Sequence, residues 1–500
     1  MNIPANQSPS ASRPTGGGLF RTADGRNFFI TFALVTSLFL LWGFCSGMID
    51  ILNKHFQDSL HINKEQSGLV QSANYLAYFL MAIPAGLIAR KFGYKGGILA
   101  GLTLIAGGAF WFVHAVGVGS YSAFLLGLFV IAAGMTCLET IANPYTTVLG
   151  ATEHGATRIN IAQTINGAGW MLGPMVGGYF VFGGDTAGGT VSHPANANAN
   201  AGLATPYLGI GIFVALLLIL FIFSKVPDLP AEDESKKSAG EKIRLQPSDG
   251  QLTAIGCALA AVCGLLYFFI APILGLIWAL LNMSPALLNP TRYGLLVAAY
   301  IGGFLLISKN WDLFRRKHFT FGIGAQFFYV AAQTGIFSFC VNYILENDPG
   351  ATKLQASKWL GAIGFGLFMF GRLCGSAVVT QFKPHLVLAA YAIINVALTA
   401  ACMLGGTLGL YAMFGTFFFM SIMFPTIFAL GIRGLGDHTK LGASLIVMSI
   451  VGGAIAAPFM GRIADMHSMR TGFVVPLVGF ALIALYGLAW PKLEAKDSIG

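Results

Sequence analysis

FLLGLFVIAAGMTCLETIAN, residues 124–143, is long enough to cross a bilayer as a helix, and it carries a single carboxylate, Glu139. A charge at membrane depth costs at least about 2.5 kcal/mol. Glu139 must therefore face a protein interior or cavity, or spend much of its time neutral. Both options point to a pathway through the membrane. A second acid, Asp50, lies in the outer part of another apolar run. The rest of the chain reads as the device that surrounds these two acids.

The 500 residues are 55% hydrophobic and only 10% charged, with a mean hydropathy of +0.71. Soluble domains carry about 25% charged residues, so this is a polytopic membrane protein. Short alternating strands are absent, which argues against an outer-membrane barrel. The net charge of +9 sits in short loops between spans and gives no reason to expect nucleic acid. Cysteines 45, 137, 257, 263, 340, 374 and 402 fall in apolar runs without CxxC spacing and read as small core residues. No cleavable leader is visible, because the first apolar run is too long for a signal core. No metal spacing, phosphate loop or nucleophile motif is convincing, so neither a cofactor nor a metal is expected.

Residues 1–27 are expected to be a disordered tail. Six spans follow at about 28–57, 67–90, 97–116, 121–148, 157–182 and 205–225, forming an N-terminal half over 28–225. A charged linker at 226–250 is the clearest internal boundary. Residues 251–308 hold two extra apolar segments, about 251–281 and 293–308. Six more spans, about 319–345, 356–380, 385–405, 407–432, 440–462 and 471–490, form a C-terminal half over 309–490, and 491–500 is a second tail. The fold class expected is all-α, with about 14 spans. With both termini in the cytoplasm, 21 Lys and Arg lie inside and 7 outside, with Arg372 left within a span. The extra pair has basic flanks on both sides, so it goes out and back, or forms one hairpin that does not fully cross.

The halves repeat in parallel. ETIANPYTTVLG (139–150) matches MSIMFPTIFALG (420–431), and GWMLGPMVG (169–177) matches GAIAAPFMG (453–461). Glu139 aligns with Met420, while Asn160, Gln163 and Asn166 align with Ser444, Val447 and Ile450. Charge chemistry is concentrated in the N-terminal half.

Helical spacing gathers polar side chains into stripes. Ser46, Asp50 and Asn53 share a face, as do Gln71, Asn74, Tyr75 and Tyr78. Glu139 and Asn143 form a third stripe, Asn160, Gln163 and Asn166 a fourth, and Gln326, Tyr329 and Gln333 a fifth. Lipid would leave these groups unsatisfied, so they face other helices or water. Interhelical glue accounts for any single amide as well as a binding role does. Five striped helices together read better as a cavity for a neutral polyhydroxylated solute, because amides both donate and accept. Glu139 and Asp50 are the proton-coupling candidates. Asn53, Gln71, Asn74, Tyr78, Asn143, Asn160, Gln163, Asn166, Gln326, Tyr329 and Gln333 are the substrate-binding candidates. Arg372 reads either as a gate on a carbonyl or carboxylate, or as a side chain reaching the membrane surface. Trp42 and Trp170 read as core aromatics or sugar-stacking faces. Trp311, Trp359 and Trp490, near span ends, read as interface anchors.

At these residues the chain resembles the major facilitator superfamily, and within it the fucose permease and glucose–galactose transporter family. The resemblance is carried by FALVTSLFLLWGF (32–44), DILNKHFQ (50–57), GLVQSANYLAYFLMAIPAGLIARKFGYKGG (68–97) and CLETIANPYTTVLG (137–150). RINIAQTINGAG (158–169), AQFFYVAAQTG (325–335), Tyr391 and FPTIFALGIRGLG (424–436) complete it. Ala89 stands where the superfamily's loop motif often has an acid, and residues 251–308 have no place in a twelve-helix permease. The resemblance implies a major facilitator fold of two six-helix halves with the extra segments inserted between them. It also implies proton-coupled uptake by alternating access of a small neutral sugar: fucose, glucose, galactose or N-acetylglucosamine. The family's two membrane acids map onto Asp50 and Glu139, and its sugar-contacting amides onto Gln163 and Asn166, with Asn160 nearby. A bacterial inner membrane location and a monomer are expected. Sodium is the alternative coupling ion, because a carboxylate with Asn or Thr oxygens also suits it. An exporter, a facilitator and a non-transporting sugar sensor are the competing functions; an enzyme is the least supported.

Overall fold

The computed structural model describes residues 18–22, 25–151, 154–183, 201–224, 226–227, 248, 251–253, 256–257, 259 and 284–498. Among these the protein is all-helical, with no strand. Among the described residues, eleven helices are long and apolar enough to cross a membrane. The linker and most of the first extra segment lie outside the described residues.

α1 is Phe29–Ser59. The helical run Leu69–Val118 doubles back at Gly93, whose φ of 70° only glycine adopts without strain; its limbs are α2 and α3. α4 is Tyr121–Val148, α5 Gly155–Phe182 and α6 Ala201–Phe223. α7, Leu288–Lys309, is the second extra segment. α8 is Lys317–Asn347. α9 comprises Lys353–Trp359, a π-helical stretch at Leu360–Phe365 and Gly366–Gln381. α10 is Pro384–Leu404, and α11 comprises Gly406–Met420 and Met423–Ile432. α12 runs through Thr439–Met448, a tight turn at Ser449–Val451 and Gly452–Met466, and α13 is Val474–Ser498.

The apolar core is divided. One cluster joins buried residues of α1 to α6, from Phe28 to Val226, and a second joins α8 to α13, from Ala325 to Trp490. Each half therefore has its own interior, and polar groups collect between them. Within the N-terminal half, α1 and α5 touch backbone to backbone. A Cβ at Gly169 would stand 2.4 Å from the Leu40 carbonyl, and one at Gly173 2.7 Å from that of Phe44.

None of α7 is buried, as suits a span that faces lipid outside both halves. Gly303 of α7 meets Leu259 of the preceding segment. The expected tail boundary at residue 27 falls too late. Phe20 packs on Phe29 and Phe32, and the Leu19 carbonyl accepts from Arg158 at 2.8 Å. Trp490 is also not an interface anchor. It is 2% exposed, donates from Nε1 to the Leu430 carbonyl at 3.3 Å, and stacks with His385.

Candidate functional site between the halves

Proline explains several of the polar contacts around the interface. A proline inside a helix has no N–H for the carbonyl four residues earlier. Pro458 in α12 thus frees the Ala454 carbonyl, which accepts from the Ser72 hydroxyl of α2 at 2.6 Å, across the halves. Pro425 frees the Ser421 carbonyl at the break in α11, and Arg372 Nε donates to it at 3.4 Å. Tyr329 donates to the neighbouring Met420 carbonyl at 3.0 Å.

Two acid-centred groups sit on α2. Gln71 Nε2 donates to Asp50 Oδ1 at 2.8 Å, and Asp50 Oδ2 is buried without a hydrogen-bond partner. Seven residues further along α2, the Tyr78 hydroxyl lies within side-chain reach of the Glu139 carboxyl and of Trp42. Seven residues at 1.5 Å each place these groups about 10 Å apart along α2. The two carboxyls are therefore set apart along α2 rather than paired with each other. Tyr75 lies between them, within electrostatic reach of both.

The amide candidates divide by accessibility. Asn160 is exposed, while Glu139, Asn143, Gln163, Tyr78 and Gln333 are half-buried. Gln163 Nε2 donates to Asn143 Oδ1 at 3.1 Å, tying α5 to α4. These groups lie toward the end of the bundle that carries Leu19 and Arg158. Asp50, Asn53, Gln71, Asn74, Asn166, Gln326 and Tyr329 are buried. Asn53 donates to the Ser338 carbonyl of α8 at 3.2 Å and so joins the halves. Asn166 donates to the Phe39 carbonyl of α1 at 3.0 Å. Both atoms of the Gln326 amide are unpartnered, and so is Asn74 Oδ1. Trp170 packs against Phe337 and Phe365 of the C-terminal half. Arg372 acts within its own half: besides Ser421 it covers the Phe368 ring, 5.0 Å from its centroid.

Arg158, which opens the RINIAQTINGAG stretch, is not among the site candidates named from the sequence. It is fully buried at the start of α5 and donates to the carbonyls of Thr146, Thr147, Ala151 and Leu19. It thereby satisfies the otherwise open C-terminal end of α4. The signal the sequence offers is a basic residue shortly after a helix end.

The family model of the Major Facilitator Superfamily matches residues 28–440. The chain belongs to the major facilitator superfamily. It is 36% identical over 467 residues to the L-fucose-proton symporter of Escherichia coli (strain K12), covering 93% of each chain. It is 30% identical over 489 residues to the glucose/galactose transporter of Brucella abortus biovar 1 (strain 9-941), covering 97% of this chain and 100% of that one. The crystal structure of the transporter FucP in the outward conformation matches at 33% identity and a TM-score of 0.58, covering 93% of this chain and 99% of FucP. The D-xylose-proton symporter shares the fold at 12% identity and a TM-score of 0.62, over 94% of this chain and 99% of that one. These relatives are carriers, not enzymes, and the superfamily fold of two six-helix halves is the one observed.

Proposed function

We propose that this protein carries a neutral monosaccharide across the bacterial inner membrane in symport with protons. The observation that carries the reading is the polar interface itself. Two carboxyl groups, one hydrogen-bonded by Gln71 and the other facing Tyr78 of α2, lie between two halves that each have their own apolar cluster. A family whose named members move fucose with protons, or glucose and galactose, supplies the substrate class.

With the termini in the cytoplasm, as the distribution of Lys and Arg supports, the present conformation is open inward and sealed outward. Glu139 is then the proton station facing the cytoplasm, with Tyr78 and Trp42 holding its carboxyl. Asn143, Gln163 and Asn160 offer alternating donors and acceptors to sugar hydroxyls. Asp50, sealed behind Gln71, is the outer station, and its free Oδ2 is the atom at which a proton is held. Loss of proton and sugar inward, followed by rocking of the halves, completes the cycle. A monomer suffices, because one chain supplies both halves.

The test is uptake of labelled fucose, glucose, galactose and N-acetylglucosamine in cells lacking their own carriers. One sugar accumulates, and a protonophore abolishes its accumulation. Accumulation that follows sodium and ignores the protonophore would assign the coupling to that ion and overturn the role given to Glu139.

A further inference from the structure

The end of the bundle opposite the termini is closed by contacts between the two halves. α1 is their spine. Beyond Asp50, α1 presents Asn53 and Gln57 one turn apart on one face, with Asp58 on the neighbouring face beside Lys54. Asn53 bonds the Ser338 carbonyl of α8. Gln57 Oε1 accepts from Asn342 of α8 at 2.6 Å, while Gln57 Nε2 donates to the Ser67 hydroxyl at 2.8 Å. Asp58 stands between Lys54 of its own helix and Lys353 of α9, each 2.8 Å away. A second seam joins α12 to the segment before α2. Asp465 accepts from the backbone N–H groups of Lys64 and Glu65 at 3.1 and 2.9 Å, and its carboxylate is 3.8 Å from Lys64 Nζ. Here the chains meet backbone to backbone. A Cβ on Gly461 would stand 2.4 Å from the Lys64 carbonyl, and one on Gly68 2.6 Å from the Pro458 nitrogen.

We propose that Asp465, Lys353 with Asp58, and Asn342 with Gln57 are gate residues of the transport cycle. They hold this end shut while the site empties at the other end and must separate before it reloads. Three features of these contacts fit a gate better than a static interface. The Asp465, Lys353–Asp58 and Asn342–Gln57 contacts each cross from one half to the other. Except for Asn53, Gln57 and Asn342, they lie at the rim, where water replaces each lost bond, so opening is not prohibitively costly. The deeper rungs, Asn53 and Asn342, each keep a buried, unpartnered Oδ1, which weakens closure relative to a fully satisfied seam. Asp465 is a positioning residue. It touches no cargo and acts by fixing the Lys64–Glu65 backbone against α12. The proposal rests on the alternating-access reading and not on which sugar is carried.

The test uses the full chain in sealed vesicles, with Ser338→Cys as a reporter. Ser338 is 1% exposed beneath the seam. A membrane-impermeant maleimide is added, without sugar, to the face opposite the termini, and labelling of the residue-338 peptide is followed by mass spectrometry. Asp465→Ala removes two charge-assisted hydrogen bonds, so labelling accelerates about tenfold. Asp465→Glu falls between it and the parent. Lys353→Gln, on the other seam, also accelerates labelling and decides the question if Asp465→Ala fails to fold. Asp348→Ala is the control, since Asp348 bonds only within its own turn, and it leaves the rate unchanged. Parent-like rates in both gate variants, or an equal rise in the control, would overturn the proposal. Because no sugar is present, this result is independent of whether the transport reading holds.

Discussion

Replacing Tyr78 with Phe keeps the ring and removes only the hydroxyl that lies against Trp42 and Glu139. A hydrogen bond to a charged group contributes about 1.5–3 kcal/mol, and one between neutral groups about 0.5–1.5 kcal/mol. Glu139 is half-buried on the open side of the interface, so water replaces part of what is lost and the net cost falls near 1 kcal/mol. That corresponds to about fivefold in any step that needs the carboxyl held in place. The assay is uptake into proteoliposomes under an imposed proton gradient, compared with exchange of labelled for unlabelled sugar at equal pH. Tyr78→Phe lowers gradient-driven uptake about fivefold and lowers exchange less. Thermal unfolding in detergent shifts little, because the ring's packing is retained. Unchanged gradient-driven uptake would show that the Tyr78–Glu139 contact has no part in coupling. Equal loss in both assays would make it a sugar contact instead.

Three further outcomes follow from the same geometry. Glu139→Gln, which keeps the shape and removes the titratable proton, abolishes accumulation against a gradient but leaves sugar exchange measurable; full accumulation would rule out a coupling role. Asn166→Ala removes the amide bonded to the Phe39 carbonyl and lowers stability by about 1–2 kcal/mol, read from thermal unfolding; sugar affinity, read by titration of the purified protein, falls as well. Gly169→Val forces side-chain atoms onto the Leu40 carbonyl at the α1–α5 contact and costs 3 kcal/mol or more, at or beyond the upper end of about 1–3 kcal/mol for overpacking, because the obstruction is backbone. Native-like unfolding of that variant would mean the two helices are not held in backbone contact.

Much of the fold was legible because bilayer physics leaves few choices. Apolar runs of span length and paired Pro144/Pro425 and Pro174/Pro458 positions already imply two repeated halves. The acids and amide stripes were legible for the same reason: Glu139 and Gln163 are costly in lipid and must turn inward. What the sequence could not supply was which stripe residues are engaged with one another. Asn53 and Gln163 belong to similar stripes, yet one is bonded across a sealed seam and the other borders the open side. That difference depends on how the halves are tilted, and periodicity along one helix does not encode tilt. Asp58, Lys353 and Asp465 were invisible because a charge at a helix end reads as a solvated loop charge. Their partners come from segments up to about 400 residues away.

The most direct measurement is sugar uptake by the purified protein in sealed liposomes, with an imposed inward proton gradient as the only driving force. The account predicts that one of the four sugars rises transiently above its equilibrium level, that a protonophore removes the rise, and that Glu139→Gln does not show it. A rise that persists in Glu139→Gln, or that requires sodium and not the proton gradient, would contradict the central claim.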